Sequence, residues 1–447
     1  MIPSRDGRKS VVIVGGGFTG LTAAYALSAG GDVKVRIIER ASELGGLAAG
    51  FSLQGTSIEK TYHHLFLTDR AILALVEELG LSEKLLWCDS SLGIFYGGRI
   101  YPFMSPGDLL RFTPCDFLSR IRVGLVVLYL QRKKDWQRFV AQAAFKWMSR
   151  ACGPSAMRAI WTPLLKGKFG RYFDVVSMAW LWARIHTRAN SRGKTSEREQ
   201  LGYFRGGFEA VVRKLESELV RRDVTIQRGR TVEKIVPAER VLLVGGERVP
   251  FDACIFTGPG AAFAKLLPET PELRGYREQL ESITYIGAVC LVFVSEQDIG
   301  EQYWLNINEE GAPFLVFIHH TRLIDKANYN GKHVYYLGAY EPHDGPLFAM
   351  SDDQIAESWF AFLRKIYPLF DPARVLEKHV FKLRSAQHIV DAGYRERIPD
   401  YRTPLAGVYL ANFAQVFPED RGTNFAVREG QKIASLVRDD LQREARA

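Results

Sequence analysis

The N-terminal part of the chain alternates between short apolar runs and an Ala- and Leu-rich stretch. Residues 11–14 and 33–38 are rich in Val and Ile, which predicts two strands of a buried parallel sheet. Residues 21–27 between them fit a helix that packs on that sheet. Strand, helix and strand in this order predict a βαβ unit at the start of an α/β domain.

Three glycines, Gly15, Gly17 and Gly20, separate the first strand from the helix in G-x-G-x-x-G spacing. The first allows a tight turn, the second lets the backbone approach a pyrophosphate, and the third lets helix and strand pack closely. Phe18 and Thr19 lie at the helix start, where free backbone N–H groups attract phosphate. The spacing alone is a weak signal, but its place between strand and helix predicts a dinucleotide site.

An acid ends the second strand. Glu39 lies where a carboxylate accepts hydrogen bonds from a ribose diol. Arg40 follows it, and a glycine pair, Gly45 and Gly46, precedes Leu47. With these residues the sequence resembles the large flavoprotein family that includes protoporphyrinogen oxidases, flavin amine oxidases, phytoene desaturases and UDP-galactopyranose mutases. The resemblance implies that this second loop lies along the cofactor, and it favours FAD over NAD.

The resemblance continues through most of the chain. Residues 203–219 look like the family's Gly-Gly segment before a helix. Residues 224–235 are similar to the strand pair in which Val232 would contact the adenine side of FAD. Residues 251–259 look like the strand that returns to the nucleotide-binding sheet.

The C-terminal match departs from the family at one position. The family ends a short strand with Gly-Asp, and this chain has Ala411 and Asn412 there. An Asn can still hydrogen-bond a ribityl hydroxyl, although it brings no charge. The resemblance places Gly422, Thr423 and Asn424 at the start of a helix that faces the flavin ring. Backbone N–H groups at such a helix start stabilise the negative charge of reduced flavin.

These matches predict an α/β architecture of two domains. A discontinuous Rossmann-like FAD-binding domain would comprise residues 1–86, 203–260 and 395–447. An α+β substrate-binding domain would comprise residues 87–202 and 261–394, the first of these being mainly helical and basic.

Composition narrows the class of protein. With 47% apolar and 24% charged residues in 447, the chain has an ordinary globular composition. Its apolar runs fall short of the ~18 residues of a membrane span, and its polar N-terminus does not resemble a signal peptide, so we expect a cytoplasmic protein. The five cysteines show no metal-ligand spacing, which predicts reduced thiols and no metal site.

The net charge of +9 is unevenly distributed. Residues 117–198 contain 17 Lys/Arg and three acids, a balance of +14, which leaves −5 for the remainder. Five of the eight tryptophans also lie in this window. Basic residues among aromatics suit a phosphorylated substrate or an anionic lipid surface, whereas solvated basic helix faces are the simpler explanation. No nucleic-acid-binding signature is present, so nucleic acid is not expected as a partner.

The candidate catalytic residues are His63, His64 and Arg384. Residues 64–68 resemble the His-x-Phe-His-Thr run that passes beside the flavin in UDP-galactopyranose mutases, with Leu67 in place of the second His. A histidine packed in a loop is the alternative. The resemblance also puts Arg384 and Tyr394, a candidate substrate contact, where the family chain returns towards the flavin ring.

Further substrate contacts are predicted in residues 161–174, which resemble a family segment bordering the substrate pocket. Lys166, Lys168 and Arg171 suit a phosphate or diphosphate, and exposed loop cations are the alternative. Residues 117–134 have an apolar centre with basic flanks. They fit either a peripheral helix on the inner face of the membrane, as in membrane-attached protoporphyrinogen oxidases, or a helix buried in the substrate domain.

The expected function is therefore an FAD-dependent oxidoreductase that takes a hydride from a bulky, partly apolar substrate, with a phosphorylated or lipid-linked substrate left open. A mutase-like flavoenzyme acting on a nucleotide- or lipid-linked sugar is the alternative, and a non-catalytic FAD-bearing protein is a third.

Overall fold

The computed structural model describes residues 7–190 and 199–446. Parts of two predictions, the N-terminal residues 1–6 and the basic residues within 191–198, lie outside these ranges. The strands of the described residues are β1 (Lys9–Val14), β2 (Val33–Ile38), β3 (Gly50–Leu53), β4 (Thr56–Glu59), β5 (Leu65–Phe66), β6 (Leu85–Asp89), β7 (Leu92–Tyr96), β8 (Arg99–Pro102), β9 (Gln200–Phe204), β10 (Thr225–Gln227), β11 (Val232–Val236), β12 (Val241–Val244), β13 (Glu247–Pro250), β14 (Ala253–Phe256), β15 (Tyr285–Ser295), β16 (Trp304–Ile307), β17 (Val316–His319), β18 (His333–Glu341), β19 (Val375–His388) and β20 (Val408–Leu410).

The helices of the same residues are α1 (Phe18–Ser28), α2 (Arg70–Glu78), α3 (Pro106–Arg111), α4 (Phe117–Arg132), α5 (Ala144–Cys152), α6 (Pro154–Ala156), α7 (Thr162–Phe169), α8 (Met178–Asn190), α9 (Glu209–Arg221), α10 (Gly260–Ala264), α11 (Arg274–Glu281), α12 (Pro346–Ala349), α13 (Asp352–Ile366), α14 (Tyr394–Arg397) and α15 (Thr423–Arg446).

A five-stranded parallel sheet confirms the predicted α/β fold. Its strand order is β10-β2-β1-β14-β20, and every neighbouring pair in it is parallel. Helix α1 connects β1 to β2 and packs against α15 and α9. Parallel strands align their carboxyl ends at one edge of the sheet, so the loops after β1, β2 and β14 meet there.

A second sheet of seven strands has the order β19-β15-β18-β17-β16-β7-β8. Successive residues of its central strand β15 face opposite sides. Val292 and Val294 join the hydrophobic core of the parallel sheet, whereas Leu291 and Phe293 pack in the core that contains Trp359 of α13. One face of this sheet therefore lies against the nucleotide-binding part, and α13 covers the other.

Helices α3 to α8 form a third region with its own hydrophobic core. Trp161, Trp180 and Trp182 lie in that core and are each less than a tenth exposed. The tryptophans of the basic window are thus largely a packing feature, because most of their surface is inside the protein. The five cysteines are free thiols. No helix that the structure describes is long and apolar enough to cross a bilayer.

The three regions are connected by a small sheet, β5-β9-β6. The predicted domain limits at residues 86 and 203 fall inside β6 and β9, which pair with each other. The polypeptide thus crosses between the predicted domains within hydrogen-bonded strands, and the domain limits themselves stay a prediction.

Candidate active site

The first glycine loop forms a close-packed turn at the carboxyl end of β1. Gly15 has φ +115°, and a Cβ atom there would lie 2.2 Å from Oγ1 of Thr257. A Cβ atom on Gly20 would lie 2.0 Å from the carbonyl oxygen of Gly15. No side chain caps the N-terminus of α1 at Gly17. The turn therefore presents backbone N–H groups, including those near Phe18 and Thr19, to an anion.

The second glycine loop lies directly on the first. The Gly45 N–H donates to the Gly16 carbonyl at 2.9 Å, and a Cβ atom on Gly46 would lie 3.1 Å from the Cα atom of Gly17. Only glycines permit this separation of two backbones. The Thr61 hydroxyl donates to the Leu47 carbonyl at 3.3 Å, which brings the histidine segment beside the same loop.

Glu39 is held at the same edge of the sheet. Its carboxylate accepts from the Gly16 N–H at 2.6 Å and from the Ala41 N–H at 2.7 Å. The Arg230 N–H donates to the Glu39 carbonyl at 3.0 Å, so the chain that leads into Val232 runs beside this acid. Val232 is buried and Arg40 is exposed. A carboxylate has further acceptor positions, which remain for a ribose diol.

The C-terminal candidates are engaged mainly with the protein itself. Asn412 is buried; its Nδ2 donates to the Gly258 carbonyl at 2.7 Å and its Oδ1 accepts from the Ala414 N–H at 2.9 Å. The Oδ1 atom of Asn424 accepts from the Ala71 N–H at 2.8 Å, at the start of α2. The cofactor contacts predicted for these two side chains stay predictions.

These residues fit FAD. Added Cβ atoms would disrupt the two glycine loops, α1 offers uncapped N–H groups, and Glu39 lies at the adjacent strand end, as a pyrophosphate and ribose require. Gly422 and Thr423 lie at the start of the 24-residue helix α15. Bound FAD supplies the hydride acceptor, and the chain has to orient the substrate and exclude water.

His63 and His64 are both half-buried and hydrogen-bonded within the protein. The Nδ1 atom of His63 lies 2.7 Å from the Thr61 carbonyl, and that of His64 lies 3.3 Å from the Tyr303 hydroxyl. Burial lowers the pKa of His63 to about 4 and that of His64 to about 3. Both imidazoles are neutral at pH 7, which suits hydrogen bonding and contact better than proton abstraction.

A buried charge cluster surrounds Asp420. Its Oδ2 atom lies 2.6 Å from Nζ of Lys168 and 3.3 Å from Nη1 of Arg184, and its Oδ1 atom accepts from Nε1 of Trp180 at 3.2 Å. Although burial opposes ionisation, Lys168, Arg184 and Arg421 hold the pKa of Asp420 well below its usual range. Burial lowers the pKa of Lys168, and the Asp420 carboxylate opposes that shift.

Arg421 extends this cluster towards β18. Its Nη2 atom donates to the Tyr340 hydroxyl at 3.0 Å, and Nζ of Lys168 lies 5.5 Å from the centre of the Tyr340 ring. Burial would raise the pKa of Tyr340, but Arg421 and Lys168 reverse the shift and lower it. We call Lys168, Arg184, Asp420, Arg421 and Tyr340 the Asp420 cluster. It has three cations for one carboxylate.

His388 lies near the Asp420 cluster and is completely buried. Neither of its ring nitrogens has a hydrogen-bond partner among the described residues. Burial lowers its pKa to about 3, with smaller effects from Asp420, Arg421 and Lys168. A buried imidazole without a protein partner is suited to a ligand, because an unsatisfied polar group otherwise destabilises the fold.

The other predicted substrate and catalytic residues lie away from the Asp420 cluster. Lys166 is exposed over the Phe173 ring, and Arg171 is exposed with Nη1 3.7 Å from Oδ2 of Asp344. Arg384 is exposed over Phe348, whereas Tyr394 is buried and its hydroxyl donates to the Ala414 carbonyl. Lys168 and Arg421 both contact Tyr340, and the charge of Arg421 acts on His63. The structure thus brings Lys168 and the histidine segment towards the same cluster, but not Lys166, Arg171 or Arg384.

Five residues of this region were not predicted as site residues from the sequence: Asp420, Arg421, Arg184, Tyr340 and His388. Three of these, Asp420, Arg421 and Arg184, had a local signal. Asp420 and Arg421 directly precede Gly422, at the start of α15. Trp180 and Arg184 are four residues apart, which places them on one face of α8.

A family model matches most of the chain. The model described as flavin containing amine oxidoreductase matches residues 18–418. Among curated proteins, the chain is 23% identical over 328 residues to a coproporphyrinogen III oxidase of Staphylococcus aureus. The matched region covers 65% of this chain and 68% of that protein. A coproporphyrinogen III oxidase of Bacillus subtilis is 21% identical over 455 residues, covering 90% of this chain and 92% of that protein.

Solved structures share the fold over nearly the full length. A putative protoporphyrinogen oxidase from Exiguobacterium sp. 255-15 has a TM-score of 0.76 at 20% identity, covering 98% of this chain and 100% of that one. Reduced UDP-galactopyranose mutase has a TM-score of 0.75 at 15% identity, covering 96% and 95%. Together with the fitted cofactor site, the family match confirms the predicted FAD-dependent oxidoreductase: the chain belongs to the flavin containing amine oxidoreductase family.

Proposed function

We propose that this enzyme oxidises a bulky, partly apolar substrate that carries anionic groups, with FAD as the hydride acceptor. The observation that carries the proposal is the Asp420 cluster, in which Lys168, Arg184 and Arg421 surround a single carboxylate. Lys168 and Asp420 are largely buried, with side chains 16% and 8% exposed, and Arg184 is 35% exposed. Excess charge in a partly buried site is costly unless counter-charges join it. An anionic group of a substrate would supply the missing counter-charge.

Aromatic side chains beside the histidine segment suit the apolar part of such a substrate. The Tyr62 ring lies 5.1 Å from that of Trp304 and 6.3 Å from that of Tyr336, and His64 lies 5.8 Å from Trp304. Aromatic rings provide a large apolar contact area and edge-to-face packing. We call Tyr62, Trp304 and Tyr336 the aromatic wall. The three cations of the Asp420 cluster and the aromatic wall together favour a substrate with a flat apolar body and acidic substituents.

Coproporphyrinogen III is the first candidate of this kind. Two relatives are named as coproporphyrinogen III oxidases. That molecule carries a propionate on every pyrrole ring around an apolar macrocycle, which matches the chemistry of the Asp420 cluster and the aromatic wall. Each oxidation step would pass one hydride to FAD and release one proton, and an external electron acceptor would restore the flavin.

Anaerobic flavin reduction tests this proposal. We expect coproporphyrinogen III to bleach the flavin of the purified enzyme and to yield a product lacking the hydrogens transferred. The methyl ester of the same substrate keeps the macrocycle but removes the charges, so it should reduce the flavin far less efficiently. Equal efficiency of acid and ester would overturn the role of the Asp420 cluster, and no reduction by either would overturn the substrate.

A mutase-like activity is the second candidate, because residues 64–68 resemble the mutase run and His64 lies against the aromatic wall. The same cations would suit a diphosphate. In that case the reduced enzyme would isomerise a nucleotide sugar without a change of mass. UDP-galactopyranose incubated with reduced and oxidised enzyme separates the two functions, since an oxidoreductase leaves it unchanged.

Helix α4 supports a further proposal, that the protein binds the inner face of an anionic membrane from the cytoplasm. Phe117, Leu118 and Leu125 are 59%, 71% and 61% exposed, and Leu128 is 44% exposed. At about 100° per residue these side chains share one face of the helix. Arg132 ends the helix on the exposed side. An exposed apolar face with basic neighbours is typical of an interfacial helix.

Liposome flotation tests the membrane proposal. The chain should float with anionic vesicles at low salt and less at high salt. Replacing Leu118 and Leu125 by Ser should abolish flotation, whereas Leu369→Ser, which changes a leucine that is 92% exposed elsewhere, should not. Flotation that is unaffected by the α4 double variant would contradict the proposal.

A further inference from the structure

The edge of the seven-stranded sheet brings together three residues with metal-ligand side chains. His319 ends β17, His333 begins β18, and Asp298 lies in the loop that follows β15. One ligand atom from each residue lies within 4.8 Å of the others. No sequence pattern predicted this site, because the three residues have no recognised metal-ligand spacing.

The two imidazoles have the separation of ligands to one ion. Nε2 of His319 lies 3.2 Å from Nδ1 of His333. Two nitrogens bound tetrahedrally to zinc at ~2.0–2.1 Å are about 3.3 Å apart. The imidazole pair therefore needs little movement to bind a metal ion.

A backbone carbonyl orients the first of these ligands. Nδ1 of His319 lies 3.0 Å from the Gly300 carbonyl, an acceptor, so the ring proton resides on that nitrogen. The lone pair of Nε2 then faces His333. An outer hydrogen bond of this kind usually fixes the tautomer of a metal-binding histidine.

Asp298 supplies a carboxylate and a route from solvent, and its Oδ1 atom lies 3.9 Å from Nδ1 of His319. To share an ion with Nε2 of His319 and with His333, the Asp298 carboxylate would turn towards Nε2. The Asp298 side chain is 48% exposed, whereas that of His319 is completely buried. Nη2 of Arg322 lies 2.5 Å from Oδ1 of Asp298, so a metal ion would compete with this ion pair or use the second carboxylate oxygen. The Thr321 hydroxyl, 3.3 Å from Nδ1 of His333, adds a polar group at the same place.

We propose that Asp298, His319 and His333 form a binding site for a divalent transition-metal ion, with Zn²⁺ as the ion best suited to two imidazoles and one carboxylate. Water would complete the coordination. His333 and Tyr340 are at opposite ends of β18, about 23 Å apart at ~3.3 Å per residue. The site is therefore structural: the ion would tie the loop after β15 to β17 and β18, independently of the flavin chemistry.

Calorimetric titration of the tag-free, EDTA-treated holoenzyme with ZnCl₂ tests the proposal. We expect one Zn²⁺ per chain and a melting temperature that rises with Zn²⁺ concentration. Asp298→Asn, a change at a half-exposed position, should weaken binding at least tenfold, and His333→Ala should abolish it. His343→Ala removes an exposed histidine and serves as the matched control, with binding unchanged.

Two results would overturn the metal site. One is the absence of stoichiometric Zn²⁺ binding by the wild-type holoenzyme, which would leave the imidazole pair as an internal hydrogen bond. The other is Zn²⁺ binding that Asp298→Asn leaves unchanged. If His333→Ala fails to fold, as judged by flavin content, the Asp298→Asn titration decides alone.

Discussion

The Nζ atom of Lys168 lies 2.6 Å from the Oδ2 atom of Asp420, although 252 residues separate them. This buried ion pair joins α7 to the segment that precedes α15. Because Arg184 and Arg421 also act on the same carboxylate, one negative charge is shared among three cations. The cluster therefore retains a positive excess for an anionic substrate.

Replacement of Lys168 by Gln should raise KM for an anionic substrate by about 10- to 100-fold, because a hydrogen bond to a charged group contributes about 1.5–3 kcal/mol. Flavin content should not change, since Lys168 contacts Asp420 and aromatic rings rather than the glycine loops. Steady-state kinetics gives the KM values of Lys168→Gln and of a control variant. Lys166→Gln, an exposed lysine of the same helix, is the control, and equal KM values for the two would contradict the prediction.

Gly20→Ala is expected to reduce flavin binding and to destabilise the fold by about 1–3 kcal/mol or more, because its Cβ atom would lie 2.0 Å from the Gly15 carbonyl oxygen. Released flavin after denaturation and urea unfolding provide the measurements. Gly275→Ala is the control, since no atom lies within 4 Å of its added Cβ. A flavin content equal to that of the control would show that the loop tolerates the methyl group.

Asn424→Ala removes the side chain that caps α2 through the Ala71 N–H. Loss of such a cap should cost about 1 kcal/mol of stability, measured by urea unfolding. Ser435→Ala, on the same helix, is the control, because its hydroxyl is exposed. If Asn424 instead acts mainly on the cofactor, Asn424→Ala will lower FAD affinity while the unfolding free energy of the FAD-free protein stays unchanged.

Glu59 makes stability depend on pH. It accepts from the Tyr203 hydroxyl at 2.7 Å and the Phe208 N–H at 2.5 Å, and burial raises its pKa to about 7. An unfolded Glu titrates near ~4.3, so between these values the folded state binds the extra proton. Its contribution is fully present below pH ~4.3 and is lost as pH rises through about 7.

Glu59→Gln should therefore remove this group's contribution to the change in unfolding free energy between pH ~4.3 and about 7. The stability of the variant relative to wild type should increase from pH 5 to pH 8, as measured by urea unfolding across that range. Burial also raises the pKa of Asp69 to about 6, but both proteins retain that group. A difference in unfolding free energy that is constant with pH would contradict the assignment.

The sequence predicted what depends on short segments. The βαβ unit, the two glycine loops and Glu39 are local in the chain, and each has a backbone requirement that only certain residues meet. The structure accordingly places them at one edge of the parallel sheet. Lys166 and Lys168 were indistinguishable in sequence, because only the packing of α7 decides which lysine turns inward.

Long-range pairing accounts for what the sequence did not reveal. The Asp420 cluster combines residues from α7, α8, β18 and the segment before α15, and no spacing records that combination. The Asn424 side chain caps α2 through the Ala71 N–H, a role that its place in the sequence did not indicate. The cofactor contact that its position at the start of α15 suggested stays a prediction. The side of α4 that is exposed could not be predicted either, because it depends on which side packs on the neighbouring helices.

We expect an anionic, partly apolar substrate to reduce the flavin at the Asp420 cluster. The rate of anaerobic flavin reduction by coproporphyrinogen III, in wild type and Lys168→Gln at equal substrate concentration below KM, tests this most directly. We predict rapid bleaching in wild type and a rate about 10- to 100-fold lower in the variant. Equal rates in the two proteins, or no bleaching in wild type, would contradict the claim.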